Sequence, residues 1–144
     1  EIEAAVRAVS AEGIIERLPD GYQSDVGEGG NSLSTGEKQL LSFARALLAD
    51  PRIFVLDEAT SSVDTVTERL IQDAIEKVMD GRTSFVIAHR LSTIRNADKI
   101  IVMEKGHLIE EGKHDELVAA GGRYAQMWNH YTEAIGWKIS GKAV

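Results

Sequence analysis

No cysteine occurs in the 144 residues. Disulfides and thiolate metal sites are therefore excluded, which fits the cytosol. No apolar run approaches the roughly 18 residues of a membrane span, and no signal peptide opens the chain. A basic surplus is also missing. The 16 Lys and Arg stand against 23 Asp and Glu, a formal charge of −7. Nucleic acid and anionic lipid demand a basic face, so broad binding to either is not expected. Internal repeats and low-complexity linkers are absent too. What remains is globular in composition, 43% hydrophobic and 27% charged, with length for one domain and one sizeable core. The chain begins at Glu1 inside what already reads as helix, so it is expected to be a piece of something longer.

Hydrophobic periodicity organises the rest. Ile2, Val6, Val9 and Ile14 recur at helical spacing, with an interruption expected at Gly13. Pro19-Asp20-Gly21 is a turn, and a glycine-rich loop, Val26 to Gly30, follows. Leu40, Leu41, Ala44, Leu47 and Leu48 mark one face of a second helix, which Asp50-Pro51 ends. Ile53-Phe54-Val55-Leu56 reads as a buried parallel strand. Val63-Asp64-Thr65 opens a third helix, whose apolar face carries Leu70, Ile71, Ala74, Ile75 and Val78. Thr65-x-x-Glu68 fits a capping box there. Ser84 to Ala88 reads as a second buried strand and Ile100 to Met103 as a third. Lys105-Gly106 then turns the chain into an antiparallel return, His107 to Glu110. Helices are expected near 114–120 and 122–133, with no clear pattern beyond. Strands alternating with helices imply an α/β fold with a mostly parallel sheet.

Asp57-Glu58 follows four apolar residues, where ligands sit beyond the carboxyl ends of parallel strands. Successive side chains point to opposite faces, so the two acids cannot share one task. One can hold a metal while the other faces a reacting water. The plainer reading is a polar strand end entering a loop. His89 ends the next strand; a lone histidine is more often structural than catalytic. Ser34-Thr35-Gly36-Glu37 fits S-x-x-E, a capping box that explains Ser34 and Glu37 without any ligand. Gly36 is explained less well, since glycine in a first turn costs about 1 kcal/mol against alanine. It is useful if something must approach the backbone closely, and a helix N-terminus suits a phosphate.

In this order and spacing the motifs resemble the C-terminal part of an ABC transporter ATP-binding domain, over nearly everything from residue 1 to about 133. Leu33-Ser34-Thr35-Gly36-Glu37 is similar to the signature LSGGQ, with Thr35 in place of a glycine and Glu37 in place of the glutamine. Ile53 to Glu58 resembles Walker B with its catalytic glutamate. Ser61-Ser62-Val63-Asp64 resembles the D-loop, and His89, within Ile87 to Ser92, resembles the switch histidine. Asp25 to Gly30 is similar to the exporter loop that touches the coupling helices of the transmembrane domain. The P-loop is not here. The near match Gly136-Trp137-Lys138-Ile139-Ser140-Gly141-Lys142 is rejected, because Ala143 lacks the magnesium-ligating hydroxyl and no strand precedes it.

The resemblance implies a partial P-loop NTPase fold: residues 1–50 as part of the helical subdomain, 51–133 as the C-terminal part of the ATPase core, and 134–144 as a tail. It implies ATP and Mg²⁺ as cofactors. Asp57 would hold the metal through water, Glu58 and His89 would be catalytic, and Ser34, Thr35, Gly36 and Glu37 would serve ATP held by a partner domain, with Ser61, Ser62 and Asp64 in the D-loop. A charge on Glu37 about 8 Å from that phosphate would repel it by roughly 2 kcal/mol per unit charge at an effective dielectric near 20. A capping-box conformation would turn it away. The implied partners are a second nucleotide-binding domain, identical or different, and a transmembrane domain, with no nucleic acid. The implied location is the cytoplasmic face of a membrane, as part of an integral membrane transporter. Two functions compete: a hydrolysing motor for export, and a signature-lending half that hydrolyses weakly. In the family the P-loop strand lies between the His89 strand and the Ile100–Met103 strand. The 144 residues alone are therefore expected to be marginal, swapped or aggregated, and not to turn over ATP.

Overall fold

A computed structural model describes residues 1–57 and 63–140 of the chain. It divides into two compact units, Glu1–Ile87 and Ala88–Val144.

The first unit runs α1 (Ile2–Ala8), α2 (Glu12–Glu16), two short 3₁₀ turns (Gly21–Gln23 and Glu28–Gly30), α3 (Thr35–Ala49), β1 (Ile53–Asp57), α4 (Thr65–Met79) and β2 (Thr83–Ile87). The first helix breaks at Ser10, three residues before the expected Gly13. Ser10 takes φ 56°. Its N–H donates to the Arg7 carbonyl and the Ala11 N–H donates to Val6. These are the two bonds of a Schellman ending, with serine in the left-handed position that glycine usually fills. Gly13 sits inside α2 and interrupts nothing.

α3 and α4 pack their apolar faces together with α1. Leu40, Phe43 and Ala44 meet Ile71, Ala74, Ile75 and Val78, with Val6 and Val9 alongside. Removing a Val or Ile from water in this way contributes roughly 1.5–3 kcal/mol each. Asp50 ends α3 in a left-handed conformation, φ 42°, and Pro51 forbids continuation. α4 is capped by Asp64, whose carboxylate accepts from the Val66 and Thr67 amides. The expected cap, Thr65, is already the first helical residue. The aspartate one position earlier reaches the free amides, so it takes the role.

β1 and β2 pair in parallel, Asp57 opposite Ile87. Both were expected to be fully buried strands. Their burial alternates instead. Phe54 and Leu56 pack on the helical core, while Ile53, Val55, Phe85 and Ile87 are 57–64% exposed. The helices of this unit cover one face only.

The second unit holds α5 (Leu91–Ile94), β3 (Ile100–Glu104), β4 (His107–Gly112), α6 (His114–Ala120) and α7 (Arg123–Ser140). β3 and β4 form the expected antiparallel hairpin. Lys105 and Gly106 at its tip have φ 49° and 80°, the two positive values of a type I′ turn. β3 too is open on one side, with Ile101 and Met103 exposed. Ile100, Leu117 and Tyr124 form the core. Tyr124 is 1% exposed, and its hydroxyl meets His114 Nδ1 at 2.8 Å. Burial pushes its phenol pKa up. α7 runs well past the expected end near 133. Gly136 lies inside it, since one glycine weakens a helix by about 1 kcal/mol without stopping it. Among the described residues no helix is long and apolar enough to cross a membrane.

Candidate functional site

The start of α3 carries the capping box that its sequence announces. Ser34 is extended, φ −67° and ψ 162°. Its Oγ accepts from the Glu37 amide at 3.3 Å, and its own amide donates to Glu37 Oε2 at 2.9 Å. Glu37 is therefore turned back on its helix. Its other carboxylate oxygen accepts from the Arg17 guanidinium, which also donates to the Gly13 carbonyl at 2.9 Å. The Ser34 amide, with the Arg17 ion pair adding to it, holds the Glu37 carboxyl below its ordinary pKa against the opposing effect of burial, which ranks second among the causes. The charge that seemed to threaten a bound phosphate is thus ion-paired.

Gly36 has a different reason from the one its position suggested. It is buried. A Cβ there would fall under 3.0 Å from the Thr67 methyl and 3.2 Å from Val63 Cγ1. What approaches this backbone is the protein's own α4, at its first turn. That contact joins the start of α3 to Asp64. Ser34, Glu37, Asp64 and Thr67 line one groove of about 300 Å³, with Arg17 and Gly13 on its α2 side. Ser34 and Thr35 are exposed. Because Ser34 Oγ accepts an N–H, its O–H is left to donate outward.

Asp64 carries a lowered pKa, first through its bonds with Thr67. Helix capping accounts for it within this chain. Asp57 ends β1 exposed, on the same side as Ile53 and Val55, and does not line the groove. Glu58, Ser61 and Ser62 lie outside the described residues. His89 is exposed, two residues beyond the end of β2. Among the described residues no three His, Cys, Asp or Glu groups gather as a metal site. Asp57 offers a single carboxylate, so a cation held there would need further ligands from elsewhere.

The glycine-rich loop is held by its own bonds. The Gly27 amide donates to Asp25 Oδ1 at 2.8 Å, the Ser32 amide to the Val26 carbonyl at 3.3 Å, and the Leu33 amide to the Gly30 carbonyl at 2.9 Å. Gly27, Gly29 and Gly30 all take positive φ, which fixes the loop's path to glycine there. Gly136 to Ser140, the body of the rejected P-loop match, is helical. A phosphate cradle is a loop, so the geometry agrees with the rejection.

Sequence reasoning missed Arg17 and Thr67 in this site. Twenty residues separate Arg17 from Glu37, and no local spacing announces the pair.

The family model described as ABC transporter matches residues 3–61. The chain is 56% identical over 128 residues to the "Probable multidrug resistance ABC transporter ATP-binding/permease protein YheH" of Bacillus subtilis, covering 89% of this chain and 19% of that protein. It is 53% identical over 129 residues to an ATP-dependent lipid A-core flippase of Desulfotalea psychrophila, covering 90% and 23%. Among solved structures it is similar to a bacterial Atm1-family ABC exporter with ATP bound, at 44% identity and TM-score 0.77, over 90% of this chain and 23% of that one. The chain thus spans about a fifth of the length of the curated relatives it matches.

Proposed function

We propose that this chain, which belongs to the ABC transporter family and forms the C-terminal part of an exporter-type ATP-binding domain, works in a motor that couples ATP hydrolysis to export. The supporting observation is the start of α3, where Ser34 and Thr35 stand exposed beside Asp64, on a helix that ends just ahead of the Asp57 strand.

Each residue then has a task. Ser34, Thr35, Gly36 and Glu37 serve the nucleotide of a partner domain: the Ser34 O–H donates to a phosphate oxygen, and the helix N-terminus adds its partial positive charge. On this chain's own nucleotide, Asp57 would hold Mg²⁺ through water, Glu58 would polarise the attacking water, and His89 would contact the terminal phosphate. Bound magnesium offsets phosphate charge. Ser61 and Ser62 belong to the D-loop that ends at Asp64. The loop from Asp25 to Gly30 meets the coupling helices of a transmembrane domain, which puts the working protein at the cytoplasmic face of a membrane. The divisions 1–50, 51–133 and 134–144 belong to this reading as well.

The exposed faces of β1–β2 and β3–β4 suit it. The family's P-loop half would cover apolar side chains that this chain leaves open. The competing reading is a half that lends its signature and hydrolyses weakly. Retention of Glu58 and His89 favours hydrolysis.

Glu58→Gln in the full-length transporter tests the reading. Turnover should fall about a hundredfold or more while ATP binding persists. Near-normal hydrolysis would overturn it. The 144 residues alone should neither hydrolyse ATP nor bind it in the micromolar range, which calorimetry with Mg²⁺ and ATP checks. A helix N-terminus by itself offers an anion at most about 2 kcal/mol, against roughly 8 kcal/mol for micromolar affinity.

A further inference from the structure

We infer that Arg17 is a positioning residue for the phosphate site at the start of α3: it cancels the charge of Glu37 and holds that carboxylate on the Ser34 amide, so that the helix N-terminus still presents net positive potential to the partner's ATP. The inference rests on the proposed role of Ser34 to Glu37.

The geometry carries it. Glu37 Oε2 lies 2.9 Å from the Ser34 amide nitrogen, so any uncompensated charge on it acts on the residue that meets the phosphate. Turning Glu37 back satisfies the cap but leaves its charge in place. Arg17 removes that charge from the balance. Its guanidinium reaches the second carboxylate oxygen and is held in turn by the Gly13 carbonyl. The Glu37 side chain is only 20% exposed while that of Arg17 is 68% exposed. The carboxylate is thus sheltered within the groove and the cation closes over it from the solvent side. An ion pair so exposed contributes little to folding, and the inference needs no such contribution. It needs a local charge balance, which a semi-enclosed groove screens less than open water does. The remaining charged groove residue, Asp64, accepts from the Val66 and Thr67 amides of α4 through Oδ1.

The test is steady-state ATPase kinetics of the full-length transporter in four forms: unsubstituted, Arg17→Ala, Glu37→Gln, and both together. Arg17→Ala is expected to raise KM for ATP by about tenfold at low salt, with kcat little changed and the increase shrinking at high ionic strength. Adding Glu37→Gln should recover most of that increase, because the exposed charge is then gone. The same change with Arg17 present should lower KM by a smaller factor. Arg17→Lys should stay near the unsubstituted KM. A KM increase that persists undiminished in the double variant would show that Arg17 acts through structure alone and would overturn the inference. So would an unchanged KM in Arg17→Ala. Glu58→Gln in the same preparation keeps the two readings apart: if it retains turnover, the functional reading fails whatever Arg17 does, and if it abolishes turnover while Arg17→Ala is silent, only the role of Arg17 fails.

Discussion

α3 and α7 each carry at their start a glycine that nothing larger can replace without displacing a side chain, Gly36 within the first turn of α3 and Gly122 just ahead of α7, and at both starts a glutamate carboxylate accepts from backbone amides. The caps differ in reach. At α3 the cap is local: Ser34 and Glu37 satisfy each other three residues apart. At α7 it is remote: the Glu110 carboxylate, from β4, accepts from the Arg123 and Tyr124 amides. The glycines follow the same division. Gly36 faces the stiff side chains of Thr67 and Val63, whereas Gly122 faces the flexible end of Glu110 itself. The helix start whose first residues are exposed keeps its cap within its own turn. One that only closes a core can borrow its cap from a neighbouring strand.

The largest effect is expected at Gly36. A Cβ there meets a β-branched residue within a helix, which has little rotamer freedom to retreat. Gly36→Ala should cost about 2–3 kcal/mol in urea unfolding of the complete ATP-binding domain. Adding Thr67→Ser, which removes the obstructing methyl, should recover most of the loss. A cost below about 0.5 kcal/mol would show that α3 and α4 can part freely there.

Glu110→Ala comes next, at about 1–2 kcal/mol, with faster hydrogen exchange at the Arg123 and Tyr124 amides. Gly122→Ala should cost a similar amount, because it displaces the same carboxylate. The double variant should then cost little more than either alone; additive costs would mean that Gly122 has a separate role.

Ser34→Ala is expected to cost about 1 kcal/mol of stability. Its larger consequence is functional, since the hydroxyl proposed to meet the phosphate is lost with the cap.

The smallest effect is in pH. Glu37 has a carboxyl pKa lowered by the Ser34 amide and by Arg17. A group lowered on folding stabilises the fold above its unfolded pKa, and that contribution is lost as pH falls through the folded value. Glu37→Gln should therefore flatten the acid limb of stability against pH, and Arg17→Ala should do so in part.

The sequence alone determined what repeats locally. The capping box at Ser34, the amphipathic faces of α3 and α4, the β1 and β2 strands and the turn at Lys105-Gly106 all follow from spacings of a few residues, because helix and strand periods and cap geometry act over one or two turns. The order of short motifs was enough to identify the family. Tertiary structure alone decided the long-range pairings. Arg17 meets Glu37, Thr67 forbids a side chain at Gly36, and Glu110 caps α7, each across 13 to 31 residues of chain that carry no periodic trace of the contact. It also decided which faces stay open. Continuous apolar runs such as Ile53 to Leu56 say that a strand can be buried on both sides, but only the packing of the surrounding helices says on how many sides it is.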